Sequence, residues 1–177
     1  MNVQLKKGVT SKEEKEKARE EGHILLVNIF VVIGFNFKKT IRYEVSNDVG
    51  KMETDSYIKI LEELKADKEW QKQSLTLVQD ADSAHIAKRV KTWCKKNDFA
   101  LITLPGKSPD FSSLESMALV YKRRFYLRSS NSPKEGLTRF EQIFYHEVDQ
   151  GVIQRQYDEY TARFHECRRR DSQMTHY

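Results

Sequence analysis

Residues 79–85, QDADSAH, place two aspartates and a histidine between the apolar run LTLV and the basic stretch IAKRVKTWCKKN. A second acidic pair, Asp110 and Glu115, stands in LPGKSPDFSSLES. Carboxylates suit a hard, oxygen-preferring ion. Mg2+ is held by one or two of them plus waters and substrate phosphates, and a pair of such ions activates a water and stabilises the leaving oxygen in phosphodiester cleavage. A two-ion site of that kind usually takes a third carboxylate. The same residues also fit an architectural role. Ser112-x-x-Glu115 has the spacing of a capping box, as do Ser11-x-x-Glu14 and Thr138-x-x-Glu141, and spacing alone favours capping for Glu115. Asp82 and Ser83 read as N-cap residues of the helix that follows. His85 reads as a helix-start or packing residue, because no second His or Cys stands at metal spacing. Asp80 ends a strand instead of opening a helix, and the residues leave it open between the two roles.

The elements around these residues follow from periodicity. Residues 24–35 form a long apolar, β-branched strand, and 39–46 alternate so that Ile41, Tyr43 and Val45 share a face. Gly34 to Lys39 reads as the hairpin connection between them. Residues 54–70 carry Tyr57, Leu61 and Leu64 at helical spacing, with Thr54 as N-cap. A short strand at 75–79, a helix at 84–97 with Ile86, Val90, Trp93 and Cys94 on one side, and a strand at 100–104 stopped by Pro105 make a strand–helix–strand crossover with two parallel strands. Helices over 111–128, 138–150 and 153–169 complete an α/β chain with a mixed sheet. In such sheets ligands collect at the carboxyl ends of parallel strands, where Asp80, Asp110 and Glu115 all fall.

Composition narrows the classes. Hydrophobic residues are 38% and charged residues 32%, but nine Phe, eight Tyr and two Trp supply core material that a disordered chain lacks. Two cysteines without C-x-x-C spacing, and no signal peptide ahead of them, fit a reducing compartment, nuclear or cytoplasmic, and not secretion. The most apolar segment, 24–35, is far short of the roughly 18–20 residues of a membrane helix. The net charge of +5 is concentrated in AKRVKTWCKK, YKRRFYLR and CRRR, which can meet phosphates but equally describe solvated helix faces. G-x-x-x-x-G-K, G-x-G-x-x-G, G-x-S-x-G and H-E-x-x-H are all absent, which removes the usual support for nucleotide-loop, serine-hydrolase and zinc-protease readings.

The order of residues in VQDADSAHIAKRVKTWCKKNDFALITLPGKSPDFSSLES resembles the second half of the catalytic domain of mariner-type DDE transposases. In that family an Asp after a strand starts a motif ending in His, a helix containing Trp follows, and Ser-Pro-Asp leads to a Glu on the next helix. Here these are Asp80, His85, Trp93, Ser108-Pro109-Asp110 and Glu115, with 34 residues between the two acids, a spacing that family uses. The likeness is good over 75–127 and weaker but ordered over 24–70, and QMTHY is similar to the ending of related fungal elements. The resemblance implies a ribonuclease H-like fold with strand order 3-2-1-4-5. It also implies Mg2+ or Mn2+ on Asp80 and Glu115 as catalytic metal ligands, and DNA, the transposon ends, as the partner to be cut and joined. Lys88, Arg89, Lys91, Lys122, Arg123 and Arg124 are the candidate nucleic-acid contacts, and a homo-oligomer stays open.

The chain also departs from that family. No Asp precedes Asp48, whereas family members carry a first catalytic Asp on the central first strand. The family's Asn and Trp after the Glu are Ser116 and Ala118 here, and no upstream helix-turn-helix is present. The expectation is a charged segment over 1–22, then a partial catalytic domain over 23–177 with a helical C-terminal part. That domain would lack the first central strand unless residues 2–6 or another chain fill its place beside the second. The implied function is a transposase-derived protein whose metal-dependent DNA cleavage and strand transfer have degenerated. A non-catalytic nucleic-acid- or protein-binding module using the basic helices is the alternative.

Overall fold

The computed structural model describes residues 2–5, 25–34, 36–47, 51–106, 113–126 and 132–170. The chain divides into two compact units, Met1–Arg42 with Leu114–Gln156, and Tyr43–Ser113 with Tyr157–Tyr177.

The first unit holds an antiparallel sheet in the order β1-β2-β3, made by β1 (Asn2–Leu5), β2 (Leu25–Gly34) and β3 (Phe37–Arg42). The ten residues of β2 are mostly Val, Ile, Leu and Phe, which pack well on a pleated surface, and Ile29, Val31 and Val32 are buried. The register closes at Gly34↔Phe37, so the turn has two residues instead of the longer loop expected up to Lys39. Asn36 takes φ 55, the left-handed conformation that such tight hairpins need and that Asn tolerates. β1 pairs with β2 from Asn2↔Asn28 to Leu5↔Leu25, so residues 2–5 occupy the side of β2 away from β3.

The same unit contains α4 (Ser113–Phe125), α5 (Pro133–Gln142) and a five-residue π-helical turn, Ile143–Glu147. α5 starts five residues earlier than expected, because Ser132 caps it by accepting the Glu135 N–H at 3.2 Å and Pro133 favours the first helical position. Thr138 and Glu141 therefore lie inside the helix and form no capping box. The rings of Tyr121, Phe140 and Phe144 pack at 5.1–6.3 Å, with Phe125 6.3 Å from Phe140. The π turn meets β3 directly. Tyr145 Oη accepts the Thr40 N–H at 2.9 Å, and the Val148 carbonyl accepts from Lys38 Nζ. An edge strand covered in this way is a poor template for further pairing.

In the second unit, α1 (Thr54–Ala66) buries Tyr57, Ile60, Leu61 and Leu64 as its periodicity requires. The single helix expected over 54–70 is instead broken at Asp67. Its backbone is extended, and its carboxylate accepts the N–H groups of Glu69 at 3.0 Å and Trp70 at 3.1 Å to cap α2 (Lys68–Gln73). Thr54 is the first helical residue and not the N-cap. Glu53 stands at the cap, and its carboxylate is taken by Ser46 and Asn47. β4 (Leu77–Gln79) and β5 (Leu101–Thr103) are parallel, with α3 (Lys88–Asn97) between them in sequence. Trp70 stacks on Phe99 at 5.6 Å. The final helix, α6 (Gln150–Arg169), belongs in part to each unit. The neighbours 3-2-1 and 4-5 within the two sheets are those contained in the order 3-2-1-4-5.

A candidate carboxylate centre at the end of β4

Asp80 leaves the carboxyl end of β4 with its side chain 70% exposed, whereas the His85 side chain five residues on is 14% exposed. The two are joined, His85 Nδ1 lying 2.6 Å from Asp80 Oδ1. The chain between them is a tight turn. The Asp82 carbonyl accepts the N–H groups of His85 and Ile86, both at 3.0 Å, and Asp82 Oδ1 accepts the Ala84 N–H at 3.0 Å. Asp82 thus caps this turn. It does not cap α3, which begins at Lys88 behind an extended Ala87 with no side-chain cap. That corrects the N-cap role expected for Asp82 and Ser83. Side chain-to-backbone bonds compete with helix over 82–85, and the His85 ring is drawn towards Asp80 and onto Tyr57, 4.3 Å away. Ile86 consequently lies ahead of the helix, exposed, and not on the buried side with Val90.

Beneath the turn lies a polar group that sequence reasoning missed. β4 alternates buried, exposed, buried, which turns Gln79 into the interior beside Leu77. A glutamine there is costly unless its amide is satisfied. Gln79 Oε1 accepts from the Tyr57 hydroxyl, and Nε2 donates to the His85 carbonyl at 3.2 Å and to Thr103 Oγ1 at 3.1 Å. The amide orientation follows from chemistry, because a carbonyl can only accept. Burial, and after it the nearby Cys94 and Asp80, push the Tyr57 hydroxyl well above its ordinary value, so it stays a donor. Burial and then Asp82 act in the same direction on Tyr43. One sign was legible in sequence, a Gln in phase with the apolar positions of a strand.

Asp80 and His85 are therefore brought together, whereas the Asp82 carboxylate turns back to the Ala84 N–H. Asp110 lies outside the described residues. Glu115 falls in the first turn of α4, and its side chain, like the Ser112 box, lies outside the description. Of the basic candidates, Lys88, Lys91, Lys122 and Arg123 are exposed. Arg89 pairs with Asp55 at 2.5 Å, and Arg124 Nη1 donates to the Glu147 carbonyl.

A divalent ion of the kind implied by the sequence finds one suitable oxygen donor here. Asp80 Oδ1 bonds His85 and, at 3.3 Å, the Asp82 N–H, while Oδ2 has no hydrogen-bond partner among the described residues. A carboxylate oriented through one oxygen and open at the other fits a mostly hydrated Mg2+. Among the described residues no group of three or more His, Cys, Asp or Glu converges, so they supply one ligand and not a complete cage.

An antiparallel strand trio, a parallel pair and an acid at the end of β4 are elements of the mixed α/β, ribonuclease H-like fold that the sequence resemblance implies. The family model for DDE superfamily endonucleases matches residues 2–136, most of the chain, and the chain belongs to that family. Among solved structures it is similar to the catalytic domain of Mos1 mariner transposase, with a TM-score of 0.68 at 12% identity over 85% of this chain and 76% of that one. It is also similar to the Mos1 transposase catalytic domain and Raltegravir with Mg, at 0.64 and 13% over 85% and 77%. A third structure, the same domain and Raltegravir with Mn, gives 0.59 and 13% over 84% and 82%. These likenesses show the fold. No curated protein matches.

Proposed function

We propose that this chain is a transposase-derived domain whose ancestral chemistry is divalent-metal-dependent DNA cleavage and strand transfer. Asp80 and Glu115 are two carboxylates of the site, and Mg2+ or Mn2+ is the ion. The observation that carries this reading is the Asp80 carboxylate, held by His85 at the carboxyl end of β4, inside the span of a DDE endonuclease family match. When bound, the ion would supply an activated water and a polarised phosphoryl oxygen. The chain's own part is to fix Asp80 through His85, to present Glu115 from the start of α4, and to hold DNA phosphates with Lys88, Arg89, Lys91, Lys122, Arg123 and Arg124. The 177 residues contain no Asp ahead of Asp48, and on this reading the isolated chain is catalytically degenerate. Residues 23–177 are the catalytic-domain part, and the protein acts in the nucleus or cytoplasm. Among the described residues no helix is long and apolar enough to cross a membrane.

The test is purified chain with supercoiled DNA and Mg2+ or Mn2+, beside Asp80→Asn and Glu115→Gln. The expected result is no nicking or strand transfer by the wild-type chain. Cleavage that both substitutions abolish would overturn degeneracy. A second reading, a non-catalytic DNA-binding module, is favoured by the exposure of Lys88, Lys91, Lys122 and Arg123. DNA binding without cleavage, unchanged by either acid substitution, is its signature.

A further inference from the structure

We infer that Gln79, tied to Tyr57 and Thr103, is the positioning residue that sets the orientation of the Asp80 carboxylate. This rests on the reading of Asp80 as a metal ligand, and it adds residues that the acids alone do not reveal. The argument is the path of the bonds. Gln79 precedes Asp80, and its Nε2 reaches across to the carbonyl of His85, the far end of the turn that Asp80 begins. The ring of that same His85 returns to Asp80 Oδ1 at 2.6 Å. Residues 79–85 are thus closed at two points, through a buried amide and through an imidazole, and the carboxylate is left with Oδ2 outward.

The amide is in turn anchored to two other elements, α1 through the Tyr57 hydroxyl and β5 through Thr103 Oγ1. Tyr57 also packs its ring, tilted, against the His85 ring, so one side chain supports both closures. Every donor and the acceptor of a buried glutamine are therefore committed to this turn and its supports. A leucine of similar size would fill the space at a strand position that faces the core, yet would hold nothing in the loop. Partners that orient a ligating carboxylate commonly alter metal affinity when removed.

The experiment uses the full chain and compares Gln79→Leu, Tyr57→Phe and Asp80→Asn. Two readouts are taken well below the thermal midpoint of each variant. One is the 15N shift of His85 Nδ1, which reports its bond to Asp80. The other is Mn2+ affinity by electron paramagnetic resonance. Positioning predicts that Gln79→Leu displaces the His85 Nδ1 signal from its wild-type shift and weakens Mn2+ by about 10-fold or more, with Tyr57→Phe moving both in the same direction by less. An unchanged Nδ1 shift in Gln79→Leu overturns the inference, even if the midpoint falls. If Gln79→Leu fails to fold, Tyr57→Phe decides by the same shift. Should Asp80→Asn leave Mn2+ affinity unaltered while Gln79→Leu displaces the Nδ1 signal, the metal reading fails and the positioning of Asp80 stands.

Discussion

At the scale of single residues, the acidic side chains of this protein do separate jobs that their shared chemistry conceals. Asp80 is open to solvent and oriented by His85, Asp82 closes a turn, Asp67 caps a helix, and Asp55 pairs with Arg89. The Arg89–Asp55 pair is about two-thirds exposed on both sides, so solvent screening leaves it worth less than about 1 kcal/mol. Arg89→Ala is accordingly expected to leave the urea midpoint almost unchanged. Glu53 shows how a carboxylate couples to pH. Hydrogen bonds from Asn47, then Ser46, hold its carboxyl below the usual range. With a folded value below an unfolded one near 4.3, its contribution is present above about pH 4.3 and lost as pH falls through the folded value. Glu53→Gln should therefore flatten the dependence of the urea midpoint on pH on the acid side of about pH 4.3.

At the scale of elements, three of the differences from expectation are at helix starts, and these have one cause. A polar side chain satisfies backbone N–H groups at a place where apolar periodicity has nothing to say. Asp67 divides one expected helix into two, Ser132 starts α5 early, and the Asp82 turn delays α3 to Lys88. Asp67→Ala is expected to cost about 1 kcal/mol, measured by chemical denaturation, because two N–H groups at the start of α2 lose their acceptor. Core positions behave differently, since their spacing is set by the helix itself. Phe140 is 1% exposed among Tyr121, Phe125 and Phe144, and Phe140→Ala is expected to cost about 3–5 kcal/mol by the same measurement.

At the scale of the whole molecule, the net charge of +5 and the exposed lysines of α3 are what the proposed contacts with DNA phosphates would use. Binding of that kind releases counterions, and the logarithm of affinity falls with the logarithm of salt by about 0.9 per phosphate neutralised. Replacing Lys88 and Lys91 together by Ala should lower that slope by about two in fluorescence anisotropy with duplex DNA, whatever its sequence. An unaltered slope would place the DNA contacts elsewhere on the chain. The family match over residues 2–136 and the likeness to the Mos1 catalytic domain describe the frame on which these charges sit.

The sequence by itself determined the class of fold (through its resemblance), the hairpin of β2 and β3, the parallel pair β4 and β5, and the buried face of α1. Each of these is written in periodicity or in residue order, which survive without knowledge of contacts. The tertiary structure decided that residues 2–5 lie beside β2, that Asp82 closes a turn instead of starting α3, and that Gln79 links Tyr57, Thr103 and His85. Those facts depend on which groups meet across the chain. A glutamine facing the core is only an anomaly until its partners, 22 and 24 residues away, are known.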